Sequence, residues 1–295
     1  MKARYVNPYT DFGFKKLFGE EGSIDLLIDF LNGFLPIQHK IVHLSFTNTE
    51  RLGTTAAERR AVFDLHCEDE KGGKFIVEMQ KAKMKFFKDR AVFYSTFPIR
   101  EQAEKGEWNL RLKPVYCVAI LDFTFDDEQE DKECISNIQL KDQYCRVFYD
   151  KLTYIFIEMP RFQKGENELD DHVDKWLYFL KNLENFEDIP EILKEEVFIK
   201  GFEIAEIANF TPHQLAEYEE SLKIYRDLKG VIDTSYEEGI EEGIQIGEER
   251  GLQKGEKIGL RKGKIEMART MKKSGAPTAK IALYTGLSTD EINRL

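Results

Sequence analysis

Two neighbouring segments, Val62-Phe63-Asp64-Leu65-His66 and Phe75-Ile76-Val77-Glu78-Met79-Gln80, decide what this chain can fold into. Each segment alternates apolar and polar residues with the two-residue period of a β-strand. Between them, Glu70-Lys71-Gly72-Gly73 is typical of a turn. The two segments are therefore predicted to form a β-hairpin.

The register of this hairpin decides which side chains share a face. If Asp64 lies opposite Glu78, then His66 lies opposite Ile76, and side chains two positions apart point the same way. Asp64, Glu78 and Gln80 then meet on one face, and the other face carries Phe63, Leu65, Phe75, Val77 and Met79. Two carboxylates held together repel and raise each other's pKa, and a divalent cation relieves that repulsion. Because Mg²⁺ and Mn²⁺ prefer such oxygen ligands, the hairpin predicts a metal site.

Composition argues against several other classes of protein. No stretch approaches the roughly 18 apolar residues of a membrane span, and no apolar signal core follows the first residues. We therefore expect a cytoplasmic protein without a membrane partner. The cysteines form no Cys-x-x-Cys pair, which argues against a zinc site. The net charge of −11 argues against nonspecific polyanion binding by the molecule as a whole.

A local basic segment nevertheless follows the hairpin. Between Lys81 and Arg90, five cations accompany one anion, Asp89, and Arg59 and Arg60 precede the first strand. A phosphate backbone that approaches the carboxylates would need cations at this place. A solvated helix face is the alternative explanation of the same run.

The remaining patterns of the first half predict a mixed α/β arrangement. Helices are predicted from residue 11, from Ser23 as N-cap to residue 34, and over 83–105. The last of these is predicted to kink at Pro98 and to carry an apolar stripe of Phe86, Phe87, Val92, Phe93 and Phe97. Besides the hairpin, strands are predicted at 41–46, 114–123, 145–149 and 154–158, with 114–123 as a central buried strand.

After about residue 165 the strand patterns end. Helices are predicted at 173–183, 190–208 and 212–228. We therefore predict three parts: an α/β core over 1–165, a helical extension over 166–235, and a tail over 236–295.

The tail contains a glycine every four residues from Gly239 to Gly263. Seven glycines inside a helix would cost on the order of 5 kcal/mol relative to alanine, so a helix here needs compensating contacts. A self-associating or internally packed helix, a solvated helix and a disordered segment all fit the pattern. Acidic residues come first and basic residues later, which favours an antiparallel partner and hence a homo-oligomer.

The last residues predict short helices around a glycine turn. Ser288 and Glu291 form a capping box, and the geometry is that of a helix-turn-helix. The final helix is short for reading a major groove, so packing or assembly competes with DNA contact as its role.

Four motifs in sequence order carry a family resemblance: Asp11-Phe12-Gly13-Phe14-Lys15-Lys16-Leu17-Phe18-Gly19, Arg60-x-x-x-Asp64-Leu65, Val77-Glu78-Met79-Gln80 and Phe87-x-x-Arg90-x-x-x-Tyr94. The Asp64…Glu78-x-Gln80 part resembles the Asp…(Asp/Glu)-x-Lys core of PD-(D/E)XK phosphodiesterases. The whole set looks like the Rpn family of recombination-promoting nucleases, often described as transposases. The resemblance implies a restriction-endonuclease-like mixed sheet flanked by helices, followed by a helical C-terminal region.

The resemblance also implies roles for individual residues. Asp64 and Glu78 would bind Mg²⁺ or Mn²⁺, with the Met79 carbonyl as a third ligand and Asp11 close to the ion. Gln80 occupies the place of the usual lysine. An amide positions water but is neither a cation nor a strong base, so Gln80 leaves open which group takes the proton.

The expected activity is Mg²⁺-dependent hydrolysis of phosphodiester bonds in DNA, by an endodeoxyribonuclease whose breaks promote recombination. A catalytically inactive DNA-binding or assembly protein that keeps the fold is the alternative, and a cut-and-paste transposase would need more chemistry than this single site. The expected contacts to nucleic acid are Lys15, Lys16, Lys81, Lys83, Arg90 and Tyr94.

Overall fold

The computed structural model describes residues 3–36, 40–47, 64–103, 109–125 and 133–295, and the backbone alone at 50–51 and 61–62. The predictions that involve Arg59 and Arg60 lie outside these residues. Two compact units are present, Met1–Lys229 and Gly230–Leu295.

A six-stranded mixed sheet forms the centre of the first unit. The strands of the described residues are β1 (Leu44–Phe46), β2 (Glu50–Arg51), β3 (Ala61–Val62), β4 (Leu65–Asp69), β5 (Lys74–Gln80), β6 (Val115–Leu121), β7 (Ile135–Lys141) and β8 (Val147–Glu158). The large sheet has the order β1-β4-β5-β6-β8-β7, and β2 and β3 form a separate pair. β5, β6 and β8 run parallel to one another, whereas β1, β4 and β7 pair antiparallel with their neighbours.

Helices cover both faces of this sheet. One face carries α1 (Asp11–Phe18), α2 (Ile24–Phe34), α4 (His172–Asn182) and α5 (Glu196–Ala205), and the other carries α3 (Phe87–Arg100). The alternation of β6 fits this arrangement, since Tyr116 and Val118 join the first core and Cys117 and Ala119 the second. The predicted mixed sheet flanked by helices is confirmed, and so is the central buried strand.

The predicted hairpin is present with the predicted register. β4 and β5 pair antiparallel, with His66 opposite Ile76. In the turn, Gly72 has φ +82°, a conformation that favours glycine. The Asp69 carboxylate accepts hydrogen bonds from the backbone N–H groups of Lys71 (2.9 Å) and Gly73 (2.7 Å). These bonds hold the turn that brings the two strands together.

α3 differs from its prediction in length and in its buried face. The helix covers Phe87–Arg100 rather than 83–105, and Pro98 lies inside its last turn. Phe87 and Phe97 are buried, as predicted, but the rest of the predicted stripe is exposed to solvent: Phe86, Val92 and Phe93. Only the side of α3 that faces the sheet is covered, and Val92 and Phe93 lie on the other side.

The strands that follow also differ from the prediction. The predicted strands at 145–149 and 154–158 are parts of one strand, β8, and sequence patterns missed β7, which pairs with it. β7 is a half-exposed edge strand, and its register shifts near Gln139 and Leu140. Such an irregularity disturbs the alternation by which a strand is recognised.

The later helices are present with changed ends. α5 begins at Glu196 rather than 190, and α6 (Pro212–Lys273) continues far beyond the predicted end at 228. None of the described helices is both long and apolar enough to cross a membrane. The three-part division at 165 and 235 stays a prediction.

The second unit holds a small core of its own. α7 (Thr278–Thr285) and α8 (Thr289–Asn293) follow the end of α6, and Ala268, Ile281, Leu287 and Ile292 are buried together. The predicted capping box of α8 is confirmed, since the Ser288 hydroxyl accepts from the Glu291 N–H and the Glu291 carboxylate accepts from the Ser288 N–H. The repeated glycines of α6 have open space where a Cβ would stand, so no described residue packs against them.

Candidate active site

The hairpin places Asp64 and Glu78 at the carboxyl-terminal end of β5. Asp64 lies directly before β4, and Glu78 lies in β5. The backbone N–H of Met79 donates to Oδ2 of Asp64 at 2.8 Å. This bond fixes the Asp64 carboxylate beside β5 through one oxygen and leaves the second oxygen for another partner.

Glu78 is a buried carboxylate in unfavourable surroundings. Its side chain lines a cavity of about 20 Å³ whose other walls include Ile76, Phe87 and Phe156. Oε1 of Glu78 has no hydrogen-bond partner among the described residues. Burial and, after it, repulsion from Asp64 raise the pKa of Glu78 to about 7. Ionisation of Glu78 therefore costs free energy in the folded protein, and a bound cation would offset that cost.

Burial and a nearby negative charge also raise the pKa of Asp64. Burial has the largest effect, the hydrogen bond from Met79 opposes it, and the charge of Asp11 raises the pKa further. Asp11, in the first turn of α1, forms an ion pair with Lys15 at 3.0 Å. The structure thus brings Asp11 and Lys15 into the electrostatic surroundings of Asp64.

Arg90 reaches the Glu78 carboxylate and the Gln80 amide from α3. Its Nη2 lies 3.8 Å from Oε2 of Glu78, and its Nη1 donates to Oε1 of Gln80 at 3.4 Å. The guanidinium also lies over the ring of Tyr94, 4.7 Å from its centroid. A cation therefore contacts Gln80, which itself lacks the charge of the lysine it replaces.

Lys81 is the second cation of this centre. It is half-buried at the end of β5, and burial lowers its pKa, while Asp11 and Asp64 oppose that change. A lysine that loses part of its hydration next to two carboxylates is well placed to contact an anionic substrate.

Of the other predicted contact residues, Lys16 is paired elsewhere, and Lys83 stays a predicted contact. Lys16 forms an ion pair with Glu20 at 2.9 Å and lies over the ring of Phe210. Adjacent helix positions point about 100° apart, which separates Lys16 from Lys15 on α1. Lys83 is exposed in the segment that follows β5.

Sequence reasoning missed two carboxylates at the same edge of the sheet. Asp122 follows β6, donates its N–H to the Gln80 carbonyl at 3.0 Å and accepts from the Tyr225 hydroxyl at 3.0 Å. Glu158 ends β8 and accepts from the N–H of Phe125 and from Arg161. The available signal was an acidic residue at the end of each buried strand, where neighbouring parallel strands finish together.

The donor set fits a cation that takes few protein ligands. No cluster of three or more His, Cys, Asp or Glu side chains suited to a metal occurs among the described residues. Glu78 is buried and Asp64 is half-buried, the two carboxylates repel each other, and Oε1 of Glu78 has no hydrogen-bond partner among the described residues. Mg²⁺ commonly binds through one or two carboxylates and keeps its other positions for water and substrate phosphate.

A mixed sheet whose hairpin places the Asp64 carboxylate beside Glu78-x-Gln80 defines a protein with the PD-(D/E)XK nuclease fold. The family model for the PD-(D/E)XK nuclease family transposases matches residues 8–235, more than half of the chain, and the chain belongs to this family. No curated protein matched the chain, and no solved structure matched it.

Proposed function

We propose that this protein is a metal-dependent endonuclease that hydrolyses phosphodiester bonds in DNA at Asp64 and Glu78. The observation that carries the proposal is the pair formed by the half-buried Asp64 and the buried Glu78, in which the pKa of Glu78 is raised to about 7. Folding has placed two repelling acids together, and the pKa of Glu78 stays raised although Arg90 opposes the shift, which is typical of a functional site. Membership of a nuclease family supports the same conclusion.

In this proposal the chain's own groups hold the ion and the substrate. Asp64, fixed by the Met79 N–H, and Glu78 bind Mg²⁺ or Mn²⁺, with the Met79 carbonyl as a further ligand. A bound divalent cation lowers the pKa of a water ligand and offsets phosphate charge. Gln80 positions the attacking water through its amide, and Arg90 faces the charge that develops on the phosphate.

The proposed path for DNA runs along the segment that follows β5 and the start of α3. Lys15, Lys81 and Arg90 lie closest to the carboxylates, and Tyr94 supports the Arg90 guanidinium from below. Next to them, Phe86 and Phe93 are exposed apolar side chains among the exposed cations Lys83, Lys85 and Lys88. Cations that contact phosphates beside aromatic rings that contact bases are usual in single-strand binding.

Plasmid cleavage with and without metal tests this proposal. We expect the wild-type protein to nick or linearise supercoiled DNA with Mg²⁺ or Mn²⁺ and to be inactive in EDTA. Asp64→Asn and Glu78→Gln, which keep the shape of each side chain, should each abolish cleavage, since each removes one anionic ligand. Asp150→Asn is the matched control, because Asp150 is exposed in β8 of the same sheet.

The alternative is a DNA-binding or assembly protein that has kept the fold. It predicts that wild type, Asp64→Asn and Glu78→Gln bind DNA equally and that none of them cleaves with any metal. Cleavage by all three at one rate would mean that the nuclease assignment to this site is wrong.

The proposal also includes a role in recombination and the identity of the metal ion. The Rpn resemblance supports a nuclease whose breaks provide ends for recombination, and Mg²⁺ is the proposed physiological ion. Comparison of nicked, linear and rejoined products in the plasmid assay distinguishes simple hydrolysis from strand transfer by a transposase.

We further propose that α6 mediates homo-oligomerisation in its glycine-repeat part. Ile240, Ile244 and Leu252 are exposed there, and the glycines beside them leave open space for a second helix. Light scattering on the full chain tests this: Ile244→Glu with Leu252→Glu should lower the measured mass, and Gln245→Glu with Gln253→Glu should leave it unchanged. An equal mass for both double variants would exclude this surface as the contact.

A further inference from the structure

A second concave site lies at the other end of the strands that carry the carboxylates. This pocket has a volume of about 460 Å³ and includes residues from the β4–β5 turn, the segment before β6 and the middle of β8. Lys74 begins β5 and Gln80 ends it, so at about 3.3 Å per residue the two ends are about 20 Å apart. The pocket is therefore separate from Asp64 and Glu78.

Four cations line this pocket: Lys71, Arg111, Lys113 and Lys151. Within the described residues, none of them forms an ion pair with a carboxylate, although the chain as a whole has a net charge of −11. Several uncompensated cations in a concave site raise the local concentration of anions. An acidic protein that gathers four cations in one pocket, with no ion pair to a carboxylate of the described residues, is organised for an anionic ligand at that place.

Two of these cations are already held in position. The Lys113 ammonium donates to the Lys71 carbonyl at 2.9 Å, and the Lys151 ammonium donates to the Leu112 carbonyl at 2.8 Å. Each ammonium has three N–H donors, so each keeps donors for a ligand. Because these side chains are ordered before binding, less conformational entropy is lost when a ligand arrives.

The floor of the pocket supplies a neutral donor beside the cations. Tyr116 is nearly buried and stacks on Phe75, with ring centroids 5.2 Å apart and 12° between the planes. Burial raises the pKa of Tyr116, so its hydroxyl keeps the proton that it can donate. The one acidic side chain of the lining, Asp69, accepts the backbone N–H groups of Lys71 and Gly73, and its charge and that of Asp150 add to the effect of burial on the pKa of Tyr116.

We propose that this pocket binds a phosphate-bearing anion of about nucleotide size. Four cations with a hydroxyl donor suit the several oxygens of a phosphate, and the volume lies in the range of small-molecule sites. The phosphate comes either from a free nucleotide or from a nucleic-acid strand. Binding here goes beyond the proposed nuclease function and does not depend on it, since it uses none of the residues at Asp64 and Glu78.

Calorimetric titration of the full chain tests the proposal, with ATP in one arm and a short thymidine oligonucleotide in the other. EDTA is present in both arms, which keeps divalent cations away from the carboxylates. The variant is Lys71→Gln with Arg111→Gln, because both side chains are exposed and neither makes a side-chain hydrogen bond or ion pair with another described residue. The matched control is Lys141→Gln with Lys223→Gln, two exposed lysines outside the pocket.

We expect the pocket variant to bind at least about tenfold more weakly than wild type, because two charge-assisted contacts are lost. The control should bind as wild type does. Tighter binding of ATP identifies a free nucleotide, and binding of the oligonucleotide alone identifies a nucleic-acid phosphate; both outcomes support the pocket. If the double variant loses its thermal transition, the single variant Arg111→Glu repeats the test, because Arg111 is exposed.

Absence of binding in both arms, or equal affinity in the pocket and control variants, would overturn the proposal. Asp64→Asn with Glu78→Gln should bind ATP as wild type does. This variant separates the two proposals, because it removes the nuclease centre and leaves the pocket intact.

Discussion

The two ends of strand β5 carry opposite charges, and these charges differ in their exposure to solvent. At the amino-terminal end, the cations around the turn lie at the surface, and Lys113 and Lys151 are held by backbone carbonyls. At the carboxyl-terminal end, Glu78 is 7% exposed, and repulsion from Asp64 adds to the effect of its burial. Charge at the surface costs little, whereas buried like charges hold free energy that a bound cation can release. The carboxyl-terminal end should therefore respond far more strongly to pH and to metal.

The largest expected effect is on stability, through Glu78. Folding raises the pKa of this carboxyl from 4.5 to about 7, so between these values the folded state binds more protons than the unfolded state. The free energy of unfolding should therefore fall as pH rises through this window, by about 3 kcal/mol in total from this one group. Glu78→Gln has no charge to bury, so in EDTA it should be more stable than wild type at about pH 8 and equally stable at about pH 4.5.

Urea denaturation across this pH range measures the difference between the two proteins. Asp150→Asn, at an exposed position of the same sheet, should follow wild type at each pH. Addition of Mg²⁺ should stabilise wild type more than Glu78→Gln, because the variant keeps only one of the two charged ligands, Asp64. Parallel pH profiles for wild type and Glu78→Gln would mean that folding does not raise the pKa of the Glu78 carboxyl.

A smaller effect is expected at Arg90, which opposes the acidic end of the strand. Its guanidinium lowers the pKa of Glu78 and contacts Gln80 at 3.4 Å. Arg90→Gln should reduce single-turnover cleavage about 100-fold, the lower end of the loss expected when one donor to a developing charge is removed. The same change should shift the pH midpoint of the stability curve upward, because a cation near Glu78 is gone.

Arg100→Gln is the control for this experiment, since Arg100 is an exposed arginine at the end of the same helix. Arg90→Lys should recover part of the rate, because an ammonium keeps the charge but cannot reach both partners in the geometry of a guanidinium. Equal rates for Arg90→Gln and Arg100→Gln would remove Arg90 from the proposed centre.

The acidic end could be predicted from sequence because its geometry is local. Alternation in two short segments and a glycine turn fix the register, and the register alone brings Asp64 beside Glu78. The contact of Arg90 with Gln80 depends on how α3 lies against the sheet, which no local pattern encodes. The sequence predicts a single apolar stripe on this helix, yet three members of the predicted stripe are exposed to solvent: Phe86, Val92 and Phe93.

The basic end could not be predicted for the same reason. Its cations come from three distant places, at 71, at 111–113 and at 151, and each is an ordinary surface residue in its own segment. Only the pairing of β5 with β6, and of β6 with β8, brings these segments to one edge of the sheet. β7 was missed because its register shift interrupts the alternation that marked the other strands.

The smallest expected effect is at the turn of the basic end. Gly72→Ala places a side chain at φ +82° and sets its Cβ 3.4 Å from Cε of Lys113. The backbone conformation should cost about 1 kcal/mol, which lowers the melting temperature of a unit of this size by about 2–4 °C. Gly22→Ala is the matched control, because Gly22 has no described atom within 4 Å of a Cβ. Cleavage should remain at the wild-type rate in both variants, and a loss of cleavage in Gly72→Ala would show that the two ends of β5 are coupled.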